Sequence, residues 1–298
     1  MGRKITDRKF GFWSTVPAIV AVFGIVLYPL IQTFIYSLKN MSLTSSSAGA
    51  FVGLRNYASA LGDAEIWSAI GKTAYFTVFS IGIEIILGVL IALLLNEKFV
   101  GAGLLRSVII LPWAIPTIVN GVLWKWIYHP EFGALNGLLS GLGLIDTYQS
   151  WLGSPVRALN MVILADVWKM TPFVAIFVLA ALQMTNKGIY EAASIDGAGL
   201  FRRFFTLTLP HLKGTLLILI VIRTMEAFKV FDLIFALTQG GPMNGTMVIN
   251  YLTYVKSFVH LDFSAGATLS FLIAGLIGLL TVLYVRALGR EESAREKA

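Results

Sequence analysis

Cysteine is absent from the 298 residues, which removes disulfide frameworks, thiolate metal sites and cysteine nucleophiles together. Charge is scarce as well: Asp, Glu, Lys and Arg make up 13% of the chain, against roughly 25% in a soluble domain. With 57% hydrophobic residues and a mean hydropathy of +0.78, the chain has more apolar sequence than one core can bury. A disordered chain and a soluble enzyme are both disfavoured. Histidine is down to His129, His211 and His260, none with a second histidine or carboxylate at helical ligand spacing, so no metal site is expected. No G-x-x-x-x-G-K-[ST] loop occurs, and the chain is not expected to bind and hydrolyse ATP by itself. H-E-x-x-H, G-x-S-x-G and T-V-G-Y-G are missing too, which weakens a membrane hydrolase and a selective potassium channel. There is no low-complexity tract and no convincing internal repeat.

What the chain does have is long apolar runs. A helix crossing the hydrocarbon core needs about 20 mostly apolar residues. Six stretches qualify: Phe12–Tyr36, Thr73–Leu95, Ser107–Tyr128, Ala158–Leu182, Thr215–Leu237 and Ser264–Ala287. The first is too long for a signal-peptide core and lacks a small-residue cleavage site after it, so it reads as a retained span. The expected class is an all-α integral membrane protein with six transmembrane helices.

A net charge of +7 would suggest nucleic acid in a soluble protein; here it is read by location, and no nucleic-acid partner is expected. Six spans sort the hydrophilic segments into two sets. The set made by the tails with loops 96–106 and 183–213 holds fourteen Lys and Arg, whereas the other set, whose longer segments are 39–71, 129–157 and 238–263, holds five: Lys39, Arg55, Lys72, Arg157 and Lys256. Both termini are therefore expected in the cytoplasm. The outer segments, rich in Asn, Gly, Pro and Ser, read as loops or short interfacial helices.

The most informative inner segment is Glu191-Ala192-Ala193-Ser194-Ile195-Asp196-Gly197-Ala198-Gly199, which runs on to Leu209-Pro210. Thr185 and Asn186 are candidate caps for a short helix that Gly197 and Gly199 would end. A second short amphipathic helix with Phe201, Phe204 and Phe205 would then run to Pro210. Small side chains on the first helix would let its backbone approach another protein closely, in the helix-in-groove mode. The alternative is an interfacial hairpin lying on anionic lipid through Arg202, Arg203 and Lys213.

This stretch resembles the EAA loop of permease subunits of ATP-binding-cassette importers, whose pattern E-A-A-x-x-D-G-A is followed by an aromatic and then L-P. Glu191, Ala192, Ala193, Asp196, Gly197, Ala198, Phe204, Leu209 and Pro210 match it. Many sugar-type members carry a second proline four residues after the first, where this chain has Gly214. Phe51-Val52-Gly53-Leu54-Arg55-Asn56-Tyr57 is similar to the family's first outer loop. Phe231-Asp232, Leu237-Thr238 and Gly240-Gly241-Pro242 with Thr246 resemble the carbohydrate branch, of the maltose, glycerol-phosphate and trehalose permease type.

The resemblance implies a type I importer bundle divided as 1–11, a cytoplasmic tail; 12–68, the first span and outer loop; 69–287, the importer transmembrane domain with its coupling loop at 183–213; and 288–298, a second cytoplasmic tail. It implies a non-catalytic subunit of a prokaryotic cell (inner) membrane, translocating a disaccharide or oligosaccharide, trehalose- or maltose-like. Its partners would be a second homologous permease, two ATPase subunits that bind ATP and Mg, and an extracytoplasmic sugar-binding protein. The chain itself would hold no cofactor. The rival reading is a secondary carrier or channel working without an ATPase. Such a carrier would be expected to show inverted repeats or interrupted helices in matching halves, which are not evident in the sequence.

Charges inside the spans need partners, because each costs about 2.5–3.5 kcal/mol at a helix centre. Glu84, alone among apolar residues, is expected to face the bundle interior. Asp166 and Lys169 form an opposite pair at i,i+3, and Arg223, Glu226, Lys229 and Asp232 alternate in sign at intervals of three. Asp166, Trp168, Lys169, Arg223 and Glu226 are candidates to line the substrate path; Lys229 and Asp232 read rather as structural ion pairs. Trp113, Trp124, Trp126 and Trp168 are candidates to stack on a sugar ring, against packing and interfacial roles.

Overall fold

The computed structural model describes residues 3–97 and 99–295. The extremities of both expected tails (1–2 and 296–298), with Lys98 and Lys297 of the larger basic set, lie outside the described residues. Among the described residues the regular structure is helical, with two isolated backbone bridges and no strand. In chain order the helices are α1 (Arg3–Val22), α2 (Tyr28–Ser37), α3 (Arg55–Gly62), α4 (Ala64–Asn96), α5 (Ala102–Ile109), α6 (Leu111–Ala114), α7 (Thr117–Ile127) and α8 (Ala134–Gly141). They continue with α9 (Pro155–Gln183), α10 (Lys187–Ile195), α11 (Leu200–Arg203), α12 (Leu209–Phe228), α13 (Asp232–Leu237), α14 (Ile249–Tyr254) and α15 (Phe263–Arg295). The first and last helices extend into the segments expected as tails.

Five helical stretches are long and apolar enough to cross a membrane: Gly11–Ser37, Ala64–Asn96, Pro155–Gln183, Leu200–Phe228 and Phe263–Tyr284. The expected third span is a broken one. Its halves, Ala102–Ala114 and Thr117–Ile127, meet at 95°, and the pair makes a sixth crossing if it counts as one span. Pro116 explains the break: its ring disfavours the helical region for the residue before it, and Ile115 is extended at φ −70°, ψ 130°.

The expected fifth span is displaced. It runs Leu200–Phe228, and the chain leaves the helix at Lys229–Phe231 before α13 starts with Asp232 in its first turn. Pro210 does not end a separate amphipathic helix, as the sequence suggests. It sits in the first turn of α12, where a missing N–H is tolerated, and a wide π turn at Phe204–Thr208 joins α11 to α12.

The chain divides into two compact units, residues 1–64 with 253–272 and residues 65–252 with 273–298. In the first, Asn56 Nδ2 donates to Ser37 O at 2.8 Å and Lys39 O at 2.9 Å, and Tyr57 OH bonds Ser37 Oγ at 2.8 Å. Asn56 thereby satisfies the carbonyl of Ser37, the last residue of α2, and that of Lys39 just beyond it.

In the second unit α4, α9 and α12 pack through Val89, Leu95, Val178, Leu182, Leu212 and Leu219. Small residues permit close approach, as in membrane bundles generally. A Cβ on Gly88 would lie 2.5 Å from Val174 Cγ1, and one on Gly121 of α7 would lie 2.6 Å from Ala236 Cβ of α13.

Candidate functional site

Three helices of the second unit bring their charges to one point. Arg223 of α12 is 3% exposed and Glu84 of α4 is 0% exposed. Arg223 Nε donates to Glu84 Oε2 at 2.7 Å and Nη2 to Glu84 Oε1 at 2.9 Å, a two-pronged pairing that suits the planar guanidinium. The same Nη2 reaches Asp166 Oδ2 of α9 at 3.0 Å, and Nη1 reaches Glu226 Oε2 at 2.7 Å. Glu84 faces the interior as expected.

The pairing differs from the sequence expectation. Asp166 meets Arg223 rather than Lys169, because a long forked side chain on a neighbouring helix reaches where the i,i+3 lysine does not. Among the described residues no carboxylate oxygen lies within 4.0 Å of the Lys169 ammonium. Lys229 and Asp232 make no ion pair within that distance either, since the helix that was to align them breaks between them.

Beside the cluster lies a cavity of about 330 Å³. Asp166, Lys169, Arg223 and Glu226 line it, with Lys229 and Asp232, and Phe76, Trp113 and Phe231 supply aromatic walls. Four of the five candidate path residues thus share one cavity. Trp168 is not among its lining residues: it packs edge-on to Trp124 at 5.7 Å between ring centres. Trp126 pairs with Phe132 at 5.6 Å, so Trp113 alone of the four candidate tryptophans lines the cavity. Phe76 and Thr117 carried no sequence signal as wall residues, and Phe231 was matched only as part of the Phe231-Asp232 motif, not as a wall.

The EAA-like segment forms α10 and the turn after it. Asn186 Oδ1 caps the start by accepting from Gly188 N at 2.9 Å. At the far end Gly197 is left-handed at φ +76°, Gly197 N donates to Ser194 O at 3.2 Å and Ala198 N to Ala193 O at 2.9 Å. That pair of bonds is a Schellman ending, which favours glycine at the left-handed position. Gly199 is the extended residue before α11, and Tyr190 OH bonds Thr208 Oγ1 at 3.0 Å. Glu191, Ala192 and Asp196 are exposed, Ala193 and Ala198 partly so. Ile195, Leu200 and Phe201 are each more than three-quarters exposed.

Two outer loops are held in shape by side-chain hydrogen bonds. Thr246 Oγ1 bonds Thr238 Oγ1 at 2.7 Å and Gly241 O at 2.9 Å, closing the Leu237–Thr246 turn. Asn136 bridges its own loop: Oδ1 accepts from Gln149 N at 3.0 Å and from Trp151 Nε1 at 2.9 Å. Within the described residues no group of three or more His, Asp or Glu side chains is placed to hold a metal.

Residues 84–291 match the family described as "Binding-protein-dependent transport system inner membrane component". The chain is 38% identical over 284 residues to the trehalose/maltose transport system permease protein MalF of Thermococcus litoralis, covering 95% of each. It is 31% identical over 280 residues to the sulfoquinovosyl glycerol transport system permease protein SmoG of Agrobacterium fabrum, covering 94% of this chain and 90% of that one. Its fold is similar, at a TM-score of 0.82 and 21% identity, to the crystal structure of a bacterial ABC transporter involved in the import of the acidic polysaccharide alginate, over 96% of this chain and 98% of that chain. The family match takes in Glu84, the ion cluster, every cavity-lining residue but Phe76, and α10. With its apolar helices and those relatives at near full length, the chain belongs to the family of binding-protein-dependent transport system inner membrane components.

Proposed function

We propose that the chain is the membrane-spanning, non-catalytic permease subunit of an ATP-driven importer that moves a carbohydrate across the inner membrane, with the residue 187–203 segment as its coupling element. The observation that carries this reading is the exposed, doubly capped α10 with its flanking Ile195, Leu200 and Phe201: an ordered helix displaying apolar side chains in a loop that the basic residues assign to the cytoplasm. An ATPase groove is the occupant that the family's mode of action supplies. Two ATPase subunits would hold the ATP and Mg, a second homologous permease would complete the path, and an extracytoplasmic binding protein would deliver the ligand.

Carbohydrate is favoured by the two curated relatives, whose names specify trehalose or maltose and sulfoquinovosyl glycerol. The cavity lined by Asp166, Lys169, Arg223 and Glu226 is the proposed ligand path, since it offers both hydrogen-bond donors and acceptors beside aromatic faces. Both termini are assigned to the cytoplasm by the charge distribution.

The broken helix at Ile115–Pro116 is the kind of interruption that a secondary carrier would show, so the test separates the two mechanisms. The chain is reconstituted in vesicles with its partner permease, the ATPases and the binding protein, and uptake of labelled trehalose or maltose is followed with ATP trapped on the ATPase side. Uptake that needs ATP and binding protein together is expected. Uptake by this chain alone, without nucleotide, would overturn the proposal.

A further inference from the structure

We infer that the cavity holds an anionic group of its ligand against Lys169, so that the carbohydrates it takes include those carrying a carboxylate, sulfonate or phosphate and bind tighter for it; this rests on the reading of the cavity as the ligand path. Lys169 is the ligand-contacting residue in this assignment.

A buried charge is tolerated when it is paired. The charged side chains on the cavity wall balance, Asp166, Glu226 and Asp232 against Lys169, Arg223 and Lys229, but their pairing is uneven. Arg223 holds Asp166 at 3.0 Å and Glu226 at 2.7 Å, and it also holds Glu84, which does not line the cavity. Asp232 lies in the first turn of α13, where free backbone N–H groups suit a carboxylate. Lys229 has an exposed side chain and caps the end of α12, where free carbonyls suit a cation. Each of these five thus has a counterpart within the chain.

Lys169 has none. It is 8% exposed, lies within α9 away from either helix end, and lines the cavity. Among the described residues its ammonium has neither a hydrogen-bond partner nor a carboxylate within 4.0 Å. The acid one turn earlier on the same helix, Asp166, is bonded to Arg223 instead. An ammonium has three N–H donors and no acceptor, so whatever enters beside it must bring oxygen atoms. A sugar hydroxyl can do so, and a neutral carbohydrate is accommodated on that footing. An oxyanion brings the missing counter-charge as well. The rest of the wall suits the sugar: Glu226, half exposed with one oxygen held by Arg223, can accept from a hydroxyl, and Phe76, Trp113 and Phe231 offer apolar faces to ring C–H groups.

The test uses the whole importer, both permeases with the ATPases, in lipid nanodiscs without nucleotide or binding protein. Calorimetry would measure binding of trehalose and maltose, and of the uronates made by oxidising one primary hydroxyl of each. Wild type is expected to bind a uronate about tenfold tighter than its neutral parent, the low end of what a close charge pair contributes across an interface. Lys169→Gln, which keeps a donor and loses the charge, should abolish that preference with a smaller effect on the neutral sugar. Lys169→Arg should keep it, and Lys229→Gln should leave most of it. Equal wild-type affinities, or tighter binding of the neutral sugar, would overturn the anion site and leave the path assignment standing. A preference that survives Lys169→Gln, or that Lys229→Gln abolishes instead, would do the same. So would a Lys169→Gln variant that melts lower and binds both sugars more weakly by the same factor, since that is the mark of a merely structural lysine. Absence of binding by every sugar while ATP-driven uptake persists would overturn the anion site together with the path. Uptake without ATP is what would sink the importer reading itself.

Discussion

Arg223 and Glu84 lie on different helices, 139 residues apart, and are joined by two hydrogen bonds at almost complete burial. Breaking such a pair from one side strands the other charge and costs about 3–5 kcal/mol, whereas replacing both partners by apolar groups is often neutral. Arg223→Met is therefore expected to lower the melting temperature of the purified complex and the amount of folded permease in the membrane. Glu84→Met added to it should recover part of the loss, the remainder staying with Asp166, which still lacks its partner. Glu226→Gln should leave both nearly unchanged, because that side chain is half exposed. A double variant as unstable as the single one would show that the pair does not hold the helices together. Gly88 offers a second stability test. Its absent side chain lets α4 lie against Val174, so Gly88→Ala is expected to cost about 1–3 kcal/mol by overpacking, and Val174→Ala should relieve it. Thermal unfolding of the three variants checks this. Burial of Glu84 was legible in the sequence, since a lone carboxylate among Ile81–Leu95 has nowhere else to go. Its partner was not, because spacing along one helix reports only neighbours three or four residues away. The i,i+3 neighbour Glu226 was visible, and so was Asp166 with Lys169, but which cation reached Asp166 depended on how α9 and α12 pack.

At the scale of elements, apolar length was a sound guide to where helices are and a poor guide to where they break. Pro116 was a legible breaker, yet the run Ser107–Tyr128 is apolar on both sides of it and reads as one span by hydropathy. The break at Lys229–Phe231 has no proline or glycine to announce it, and α13 instead finds its place against α7 through Gly121 and Ala236. Pro210 misled in the opposite direction, because a wide turn accommodates it inside a continuous helix. The α10 ending was the best-read element. Gly197 is left-handed, and among the described residues no heavy atom beyond its immediate neighbours lies within 4 Å of where its Cβ would stand. A side chain there is therefore penalised by backbone conformation alone within this chain, by about 1–2 kcal/mol for ordinary residues and less for Asn. Gly197→Val is expected to lower copurification of the ATPase and substrate-stimulated ATP hydrolysis several-fold, with insertion unchanged. Gly197→Asn should stay near wild type. Copurification and ATP hydrolysis measured on both variants decide it: normal values with Val would remove residues 187–203 from the coupling role, and equal losses with Val and Asn would mean that the docked surface, rather than the backbone, excludes a side chain.

For the whole chain, the number of crossings decides which side each loop occupies, and the bent pair decides the number. Five helical stretches are each long and apolar enough to cross once. If Ala102–Ala114 and Thr117–Ile127 together cross once, the total is even and the termini share a side. If the pair enters and returns, the total is odd, and every loop after residue 127 changes sides. Charge distinguishes these outcomes. With six crossings, fourteen Lys and Arg fall on one side against five on the other. With five, Arg202, Arg203 and Lys213 would move to the side opposite Arg3, Lys4, Arg8 and Lys9, against the retention of basic residues in the cytoplasm. The absence of native cysteine makes the test clean, because any introduced thiol is the chain's sole reporter. Ser46→Cys, Ser140→Cys, Ser194→Cys and Ser293→Cys fall respectively in the first outer loop, in α8, in α10 and near the end of α15. In intact cells whose outer envelope has been made leaky, a membrane-impermeant maleimide is expected to label Cys at the first two positions. The other two should react only after the inner membrane is opened. Labelling at position 194 from outside would mean that the pair returns without crossing. It would also place α10, with its capped helix and exposed Ile195 and Phe201, out of reach of any ATPase.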